Sequence, residues 1–364
     1  MRWNWELNDW PKFFYDPDLI LLQERKFFLG VGGMSAYLKS VGTEEFHQFI
    51  VEILSTEGLE SSRIEGEILD RESLQSSIKQ HFGLNTTQIR VDNKESKMAQ
   101  LLCNVYETFN MEFTHDMLCQ WQGKLFDNRS NIEDLGKYRT HNEPMQIVSN
   151  RYDIPKIFFE APPSKKVPDE MEMFLNWFNS TRKIHSVLGR AAMAHVYFES
   201  IHPFEDGNGR IGRLLVEKIL SQEASRPVLI AVSKVLERRK KEYYQALERC
   251  NRTLNINDFV TFFSDVILQA QEESIKFLCF LIAKSKIMRE ITQKINSRQE
   301  KVLLMMFSEG LTGVKAGLSA ENYIAIAKTS RATATRDLAE LVQMKALIKN
   351  GELRYTRYML NIAF

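Results

Sequence analysis

Residues that could do chemistry are concentrated in the stretch HPFEDGNGRIGR, which runs from His202 to Arg213. A histidine is the side chain best suited to accept a proton near neutral pH, and a carboxylate such as Asp206 commonly holds a magnesium ion beside a polyphosphate. Gly207 and Gly209 carry no Cβ, so the backbone between them can approach a ligand closely. These residue types together predict an anion site beside a group that takes a proton.

A helix is predicted to begin at this turn, because apolar residues recur at helical spacing after it. Ile211, Leu215 and Ile219 mark its buried side, and its first N–H groups should point at phosphate oxygens. Arg210 and Arg213 are three residues apart, so they lie on one side of the helix and can meet further phosphates. The predicted site is therefore a helix N-terminus that binds a polyphosphate.

The same stretch resembles the signature of the Fic family, HPFx(D/E)GNGRxxR, at every specified position. The resemblance implies a mainly α fold, in which a Fic-type helical catalytic domain with a β-hairpin flap moves AMP from ATP to a Ser, Thr or Tyr hydroxyl of a target protein. It implies that His202 is the general base and that Asp206 holds Mg²⁺. The phosphates of ATP would be bound by Gly207, Asn208, Gly209, Arg210 and Arg213.

Composition predicts an ordinary globular protein, since 44% of the 364 residues are hydrophobic and 26% are charged. The length predicts two or three domains. A formal charge of +1 gives no global attraction for nucleic acid or membrane. The four cysteines form no CxxC pair, which argues against a zinc site or a disulfide framework. Without a long apolar run or a signal-peptide pattern, we expect a cytoplasmic protein that has no membrane partner.

The first 40 residues open with an aromatic cluster, MRWNWELNDWPKFFYD, for which core packing is the expected role. This opening resembles the N-terminal segment of one subgroup of bacterial Fic proteins, which wraps the catalytic domain. The segment is expected to extend over residues 1–95.

The stretch SSRIEG, residues 61–66, follows the helical run FHQFIVEIL. By spacing alone, a Ser with a Glu four residues later predicts a helix start. In a Fic-like chain the stretch resembles the inhibitory motif (S/T)xxxE(G/N), with Ser61, Glu65 and Gly66 at the specified positions. That resemblance implies that Glu65 enters the nucleotide site, pairs with Arg213 and keeps the γ-phosphate from its guanidinium.

Residues 136–163 contain alternating and β-branched segments separated by polar turn residues, and they end in Pro-Pro, which predicts a β-hairpin or flap. In the Fic family such a flap docks the target segment by adding it as a strand. Residues 146–152, including Val148 beside the nucleotide, are the candidate edge.

Helices are predicted over residues 168–181 and 186–200, within a catalytic domain of residues 96–290. His81, His115 and His195 have no partner at ligand spacing and are expected to be structural. Farther along the chain, the resemblance implies a nucleoside pocket at Tyr243, Tyr244 and Asn251, where aromatic stacking and an amide suit a purine.

The tail, residues 296–364, resembles a C-terminal winged helix-turn-helix domain. A helix that begins at a Ser330 cap would be followed by a two-stranded wing around Asn350 and Gly351, the pair favoured in a type I′ turn. The tail could contact DNA or a protein. Its candidate DNA contacts are Arg331, Thr333, Thr335, Arg336, Arg354 and Arg357.

Four questions stay open at this level. The same fold could transfer UMP, GMP, phosphocholine or a phosphate, because the signature binds phosphates and hardly contacts the base. Alternatively, the chain could be a DNA-binding regulator whose Fic domain senses nucleotide. The target protein is not readable from the residues, and a homodimer remains open.

Overall fold

The computed structural model describes residues 2–85, 93–126, 131–148, 156–182, 186–310 and 317–362. Helices predominate in this part of the chain, and its strands form two short antiparallel hairpins. The mainly α class is thus confirmed. None of the described helices has the length and apolar character that crossing a membrane would require.

The chain divides into two compact units. The larger consists of residues 1–33 and 50–274, and the smaller of residues 34–49 and 275–364. The boundaries 1–95, 96–290 and 296–364 remain a prediction.

Within the described residues the helices are α1 (Leu21–Ser40), α2 (Thr43–Ile64), α3 (Arg71–His81), α4 (Asn93–Glu107), α5 (His115–Leu125), α6 (Val167–Ser180), α7 (Val187–Ile201), α8 (Asn208–Ala224), α9 (Val232–Arg238), α10 (Lys240–Cys250), α11 (Asn257–Ile291), α12 (Ser297–Ser308), α13 (Ala320–Ala327) and α14 (Arg331–Gln343). The strands are β1 (Gln146–Val148), β2 (Ile157–Glu160), β3 (Leu347–Asn350) and β4 (Arg357–Leu360).

Helices α7 and α8 pack against each other at the centre of the larger unit. Nearly every residue of α7 is buried, and most of these residues are apolar. Ser186 caps it, because the Ser186 hydroxyl accepts a hydrogen bond from the Gly189 N–H (3.1 Å). The helices predicted over 168–181 and 186–200 are therefore confirmed to within a residue as α6 and α7.

The aromatic N-terminal segment packs within the larger unit, which agrees with its predicted core role. The Trp3 ring meets Phe159 of β2 edge-on, with centroids 5.4 Å apart, and Trp10 meets Tyr197 of α7 at 5.3 Å. Asn4 is buried and donates to the Ser200 hydroxyl (2.8 Å). These contacts hold the segment against the C-terminal end of α7.

The flap contains an antiparallel hairpin, with Gln146 opposite Glu160 and Val148 opposite Ile157. The register shifts between Ile147 and Val148, as at a β-bulge. Residues 149–152 of the candidate docking edge lie outside the described residues. Val148 is 47% exposed on β1.

The stretch SSRIEG lies at the end of α2, so the helix start predicted from its spacing is wrong. Apolar periodicity carries the helix through Ile64, and Gly66 then takes a positive φ of +84°, as a residue after a helix end commonly does. The next helix, α3, begins instead after Asp70, whose carboxylate accepts from the Ser73 N–H (2.8 Å).

In the smaller unit, α14 begins at Ser330 as predicted, since the Ser330 hydroxyl accepts from the Thr333 N–H (3.3 Å). Strands β3 and β4 pair as far as Asn350 opposite Arg357. The predicted type I′ turn is wrong, because residues 351–356 form a longer connection with a 3₁₀ turn at its centre. Such a turn needs a positive φ at both Asn350 and Gly351, and only Gly351 has one (+78°). The winged-helix assignment remains a prediction.

Candidate active site

The loop between α7 and α8 brings the signature residues together. His202 ends α7 in the left-handed region (φ 50°, ψ 61°), and its N–H closes the helix on the Phe198 carbonyl (3.0 Å). That conformation strains a residue with a Cβ by about 1–2 kcal/mol, so surrounding contacts must hold it.

Arg139 supplies several of those contacts. Its buried guanidinium donates to the carbonyls of His202 (Nε, 2.8 Å) and Ile201 (3.3 Å), and its own N–H donates to the Pro203 carbonyl (3.0 Å). Burial lowers the pKa of Arg139 to about 10, so the side chain is still a cation at neutral pH. The sequence prediction missed this residue, because nothing in the run GKYRT distinguishes a buried arginine from an exposed one.

The His202 ring is 12% exposed, and its Nδ1 has no hydrogen-bond partner within the described residues. Burial, with the charge of Arg139, lowers the pKa of His202 to about 4. At neutral pH the ring is therefore uncharged and able to accept a proton.

Two further ionisable groups of α7 lie near the loop between α7 and α8. Glu199 Oε2 is 3.8 Å from His202 Nδ1, and burial together with the charge of Glu65 raises the pKa of Glu199 to about 8. His195 is buried, shares a hydrogen bond with the Tyr243 hydroxyl (2.7 Å) and stacks on Phe263. His195 is structural, as expected; Glu199 was missed, although it lies three residues before His202.

The N-terminus of α8 is shaped by Gly207 and Asn208. Gly207 caps the helix at φ 91°, and a Cβ there would lie 2.9 Å from Leu125 Cδ1. The buried Asn208 amide closes the loop on Phe204, donating to its carbonyl (2.8 Å) and accepting from its N–H (3.0 Å). Because this side chain is already bonded, Asn208 offers a ligand its backbone N–H.

The two carboxylates of the loop have different surroundings. Glu205 accepts from the backbone N–H groups of Glu133 (3.1 Å) and Asp134 (3.0 Å), so it turns away from the helix end. Asp206 is 61% exposed, accepts from the Gly207 N–H (2.5 Å) and lies 3.6 Å from Arg210. Asp206 is thus the carboxylate open to a ligand.

Arg213 is buried and receives the end of α2. Its Nε donates to the Ser61 hydroxyl (2.9 Å), a terminal nitrogen donates to the Ser61 carbonyl (2.9 Å), and the other lies 2.8 Å from Glu65 Oε1. Burial alone would lower the pKa of Arg213, but the Glu65 carboxylate raises it above its ordinary value. A Cβ on Gly209 would collide with Glu65 Oε1, so the carboxylate lies directly against the first turn of α8.

Arg210 also contacts a carboxylate, that of Glu67, which the sequence prediction missed. Its guanidinium lies 2.6 Å from Glu67 Oε2 and packs over the Phe126 ring at 4.8 Å. Glu67 also lies 3.3 Å from the Lys94 ammonium. Both arginines of the signature therefore contact carboxylates of residues 65–67.

The residues predicted for the nucleoside pocket are in separate settings. Tyr243 is buried against His195, with 1% exposure, whereas Tyr244 is 42% exposed and its hydroxyl donates to the Ile64 carbonyl (3.4 Å). Asn251 donates to the Phe158 carbonyl of β2 (3.0 Å), so its amide ties α10 to the flap.

Residues 112–220 match the sequence model of the Fic/DOC family, and residues 3–84 match a domain of unknown function, DUF4172. A probable protein adenylyltransferase of Aquifex aeolicus is 31% identical over 28% of this chain and 37% of that protein. A protein adenylyltransferase Fic of Drosophila grimshawi is 33% identical over 36% of this chain and 25% of that protein. The matches thus span well under half of these relatives.

The fold is similar to that of a solved Fic family protein from Desulfovibrio desulfuricans, with a TM-score of 0.52. The likeness covers 95% of this chain and 98% of that one at 19% sequence identity.

Proposed function

We propose that this chain transfers AMP from ATP to a Ser, Thr or Tyr hydroxyl of a protein, since residues 112–220 match the Fic/DOC family model and one relative is named a probable protein adenylyltransferase. The observation that carries the proposal is the loop from His202 to α8, which joins an uncharged buried imidazole to a glycine-lined helix N-terminus. Arg210 and Arg213 flank that N-terminus.

In the proposed reaction the target hydroxyl oxygen attacks the α-phosphorus of ATP. A new P–O bond forms, the bond from the α-phosphorus to the bridging oxygen breaks, and pyrophosphate leaves. His202 accepts the hydroxyl proton through Nε2 and later releases it to solvent. A positioned general base of this kind contributes roughly 10²–10⁴-fold to a rate.

The N-terminus of α8 would stabilise the negative charge of the phosphates. The backbone N–H groups of Asn208 and Gly209 would bind phosphate oxygens at the positive end of the helix. The Gly207 N–H, which donates to the Asp206 carboxylate here, would join them when Asp206 turns to a metal ion. Arg210 and Arg213 would neutralise the leaving pyrophosphate through charge-assisted hydrogen bonds. The protein contributes mainly by positioning the reactants and stabilising charge.

The exposed Asp206 fits a magnesium ion that reaches the protein together with a nucleotide. Among the described residues no three His, Cys, Asp or Glu converge on a common point. Mg²⁺ commonly takes one or two carboxylates and completes its coordination with phosphate oxygens and water, so one open carboxylate suffices. When bound, Mg²⁺ offsets phosphate charge; Asp206 would hold it at the loop.

We assign Glu65 an inhibitory role in this chain. Its carboxylate lies on Arg213 and against Gly209, in the space that phosphate oxygens would otherwise use. ATP would then bind poorly, or with its α-phosphate turned away from the attacking hydroxyl, and such misplacement strongly suppresses transfer.

The nucleoside and the target are assigned to surfaces around this loop. The exposed ring of Tyr244 would stack on the base, supported by Tyr243, whose ring centroid is 5.2 Å away. Asn251 would act by holding β2. The target would add a strand to the flap, with Val148 between the flap and the nucleotide.

A nucleotide panel tests this assignment. The Glu65→Gly protein is incubated with Mg²⁺ and each nucleoside triphosphate labelled at the α-phosphate, and then with ATP labelled at the γ-phosphate. Protein labelled from α-labelled ATP but not from γ-labelled ATP supports AMP transfer. Label from another nucleotide or from the γ-phosphate would support the sister activities of the fold instead.

A second candidate function rests on the smaller unit. Arg331, Thr335 and Arg336 are exposed at the start of α14, and Arg357 is exposed on β4, whereas Thr333 is half-buried. This arrangement suits DNA contact by a winged helix, and the chain would then be a nucleotide-sensing regulator. Salt-dependent binding of a duplex DNA library, lost in Arg331→Ala/Arg336→Ala, would support it, and the absence of any binding would exclude it.

A further inference from the structure

Arg139 is a buried cation whose four side-chain hydrogen bonds all go to neutral oxygens. Besides the carbonyls of Ile201 and His202, it donates to the Pro162 carbonyl (2.5 Å) and the Ser164 hydroxyl (2.8 Å). Burying a cation without a carboxylate is unfavourable unless its hydrogen bonds are satisfied, and here they are. One guanidinium thereby joins the residues that follow β2 to the loop that carries His202.

These hydrogen bonds have a geometric consequence. His202 is held in the left-handed region, where its side chain leaves α7 in a direction that a continued helix would not allow. The bond from Arg139 Nε to the His202 carbonyl fixes that peptide, and the bond to Ile201 fixes the one before it. A small displacement of a catalytic group can cost a large factor in rate.

The charge of Arg139 has a separate consequence. Together with burial it lowers the pKa of His202, while the carboxylate of Glu65 on the α2 side opposes this effect. Glu199 lies 3.8 Å away on α7 and adds no full negative charge at neutral pH, because its own pKa is raised to about 8.

We propose that Arg139 is a positioning residue for the transfer reaction, which fixes the backbone at His202 through its hydrogen bonds and places a positive charge beside the imidazole. The proposal rests on the function proposed above. Arg139 also couples the flap to the general base His202, since its partners Pro162 and Ser164 lie just after β2.

Two substitutions separate the geometric effect from the electrostatic one, both made in the Glu65→Gly protein. Arg139→Lys keeps the positive charge but loses the planar set of guanidinium donors. Arg139→Gln loses both the charge and that set of donors. Transfer is measured against pH, and the pKa of His202 is measured by NMR in protein with labelled histidines and without ATP. Circular dichroism checks the fold of each variant.

We expect kcat to fall about 10- to 100-fold in both variants, with KM for ATP changed less than about threefold. Arg139→Gln should also raise the pKa of His202, and move the acidic limb of the kcat profile upwards, by about one pH unit. Arg139→Lys should leave that limb in place. An unchanged His202 pKa in Arg139→Gln, or equal upward shifts in both variants, would overturn the proposal. The NMR titration of His202 needs no ATP. It therefore tests the effect of Arg139 even if the protein transfers no AMP.

A different observation concerns Arg210. Glu67 Oε2 lies 2.6 Å from its guanidinium, which is 5% exposed, and so occupies a second phosphate-binding group one turn before Arg213. Glu65 and Glu67 extend from the same end of α2. We infer that Glu67 is a second inhibitory residue, which lowers ATP affinity by holding Arg210. This inference also rests on the proposed function.

ATP affinity, measured by calorimetry, tests the role of Glu67 without requiring transfer. Against the Glu65→Gly parent, adding Glu67→Gln should tighten ATP binding about three- to tenfold. Glu60→Gln is the matched control, because Glu60 pairs with Arg63 (2.8 Å), whose side chain is 53% exposed. Unchanged or weaker binding in Glu67→Gln would contradict the inference. ATP binding by the parent protein tests the proposed function separately.

Discussion

The imidazole of His202 is the group on which the proposed chemistry depends. Burial and the charge of Arg139 hold its pKa near 4, so it is uncharged over the neutral range. His202→Ala should leave the fold and ATP binding largely intact and lower AMP transfer roughly 10²–10⁴-fold. Transfer is measured in the Glu65→Gly background, with His81→Ala as a control, since His81 pairs with Glu107 at the surface. Near-parental transfer by His202→Ala would remove this residue from the mechanism.

Asp206 and Glu205 provide a matched pair of carboxylates. Asp206→Ala should weaken Mg²⁺-dependent transfer much more than Glu205→Ala, because only Asp206 is open to a ligand. Glu205→Ala should instead lower the free energy of unfolding by about 1–2 kcal/mol, since two backbone N–H groups lose their acceptor. Transfer across a Mg²⁺ titration and urea unfolding measure the two effects. Equal losses of transfer would mean that the metal is held elsewhere.

At the residue scale, the sequence predicts what is local. The spacing within HPFEDGNGRIGR is enough to place a base, a carboxylate and two arginines around one helix N-terminus, because all of them lie within one loop and one helical turn. Arg139 and Glu67 reach the same site from distant positions. Nothing in their sequence surroundings reports burial or a partner, so tertiary structure alone reveals them.

The end of α2 is the element that presents Glu65. Gly66 follows it at φ +84°, where a Cβ would meet nothing within 4 Å but would strain the backbone. Gly66→Ala should therefore cost about 1 kcal/mol of unfolding free energy and raise AMP transfer by loosening the contact between Glu65 and Arg213.

Gly83→Ala is the matched control for Gly66→Ala. Gly83 follows α3 at φ +66°, also with open space around its Cα. The Gly83→Ala variant should lose a similar free energy of unfolding without any gain in AMP transfer. Urea unfolding and labelling from ATP measure the two effects. Equal transfer by the two variants would show that the geometry of this helix end does not control the site.

Element boundaries were the least accurate part of the sequence prediction, for identifiable reasons. Ser61 has the side chain of a helix cap, but its hydroxyl accepts from Arg213, which lies 152 residues away. The Asn350–Gly351 pair has the composition of a tight hairpin turn, yet Asn350 stays in the strand opposite Arg357. In both cases a tertiary contact or strand pairing overrides a local preference.

Over the whole molecule, buried ionisable groups predict how stability depends on pH. Burial raises the pKa of Glu199 to about 8 and also holds the pKa of Glu217 well above its ordinary value. A raised carboxyl pKa contributes stability that is full below about pH 4.5 and is lost as pH rises through the folded-state value. The lowered pKa values of His195 and His202, both about 4, contribute stability that is present above pH 6.5 and lost as pH falls.

The free energy of unfolding should therefore be greatest between about pH 5 and 7 and decline towards both extremes. Glu217→Gln should reduce the alkaline loss, while Glu72→Gln, at an exposed position of α3, should not. Urea unfolding from pH 4 to 9 measures this. A curve that stays flat from pH 7 to 9 would contradict the assignment of Glu217 as a buried neutral carboxyl.

The central claim is that Glu65 restrains an AMP transferase, and labelling from α-labelled ATP with Mg²⁺ tests it most directly. Glu65→Gly frees the Arg213 guanidinium, so it should raise labelling of protein well above the wild-type chain. Adding Arg213→Ala should remove the gain, because the phosphates then lose the same group. If Glu65→Gly labels protein no better than wild type at equal ATP and Mg²⁺, the contact with Arg213 is structural and the account is contradicted.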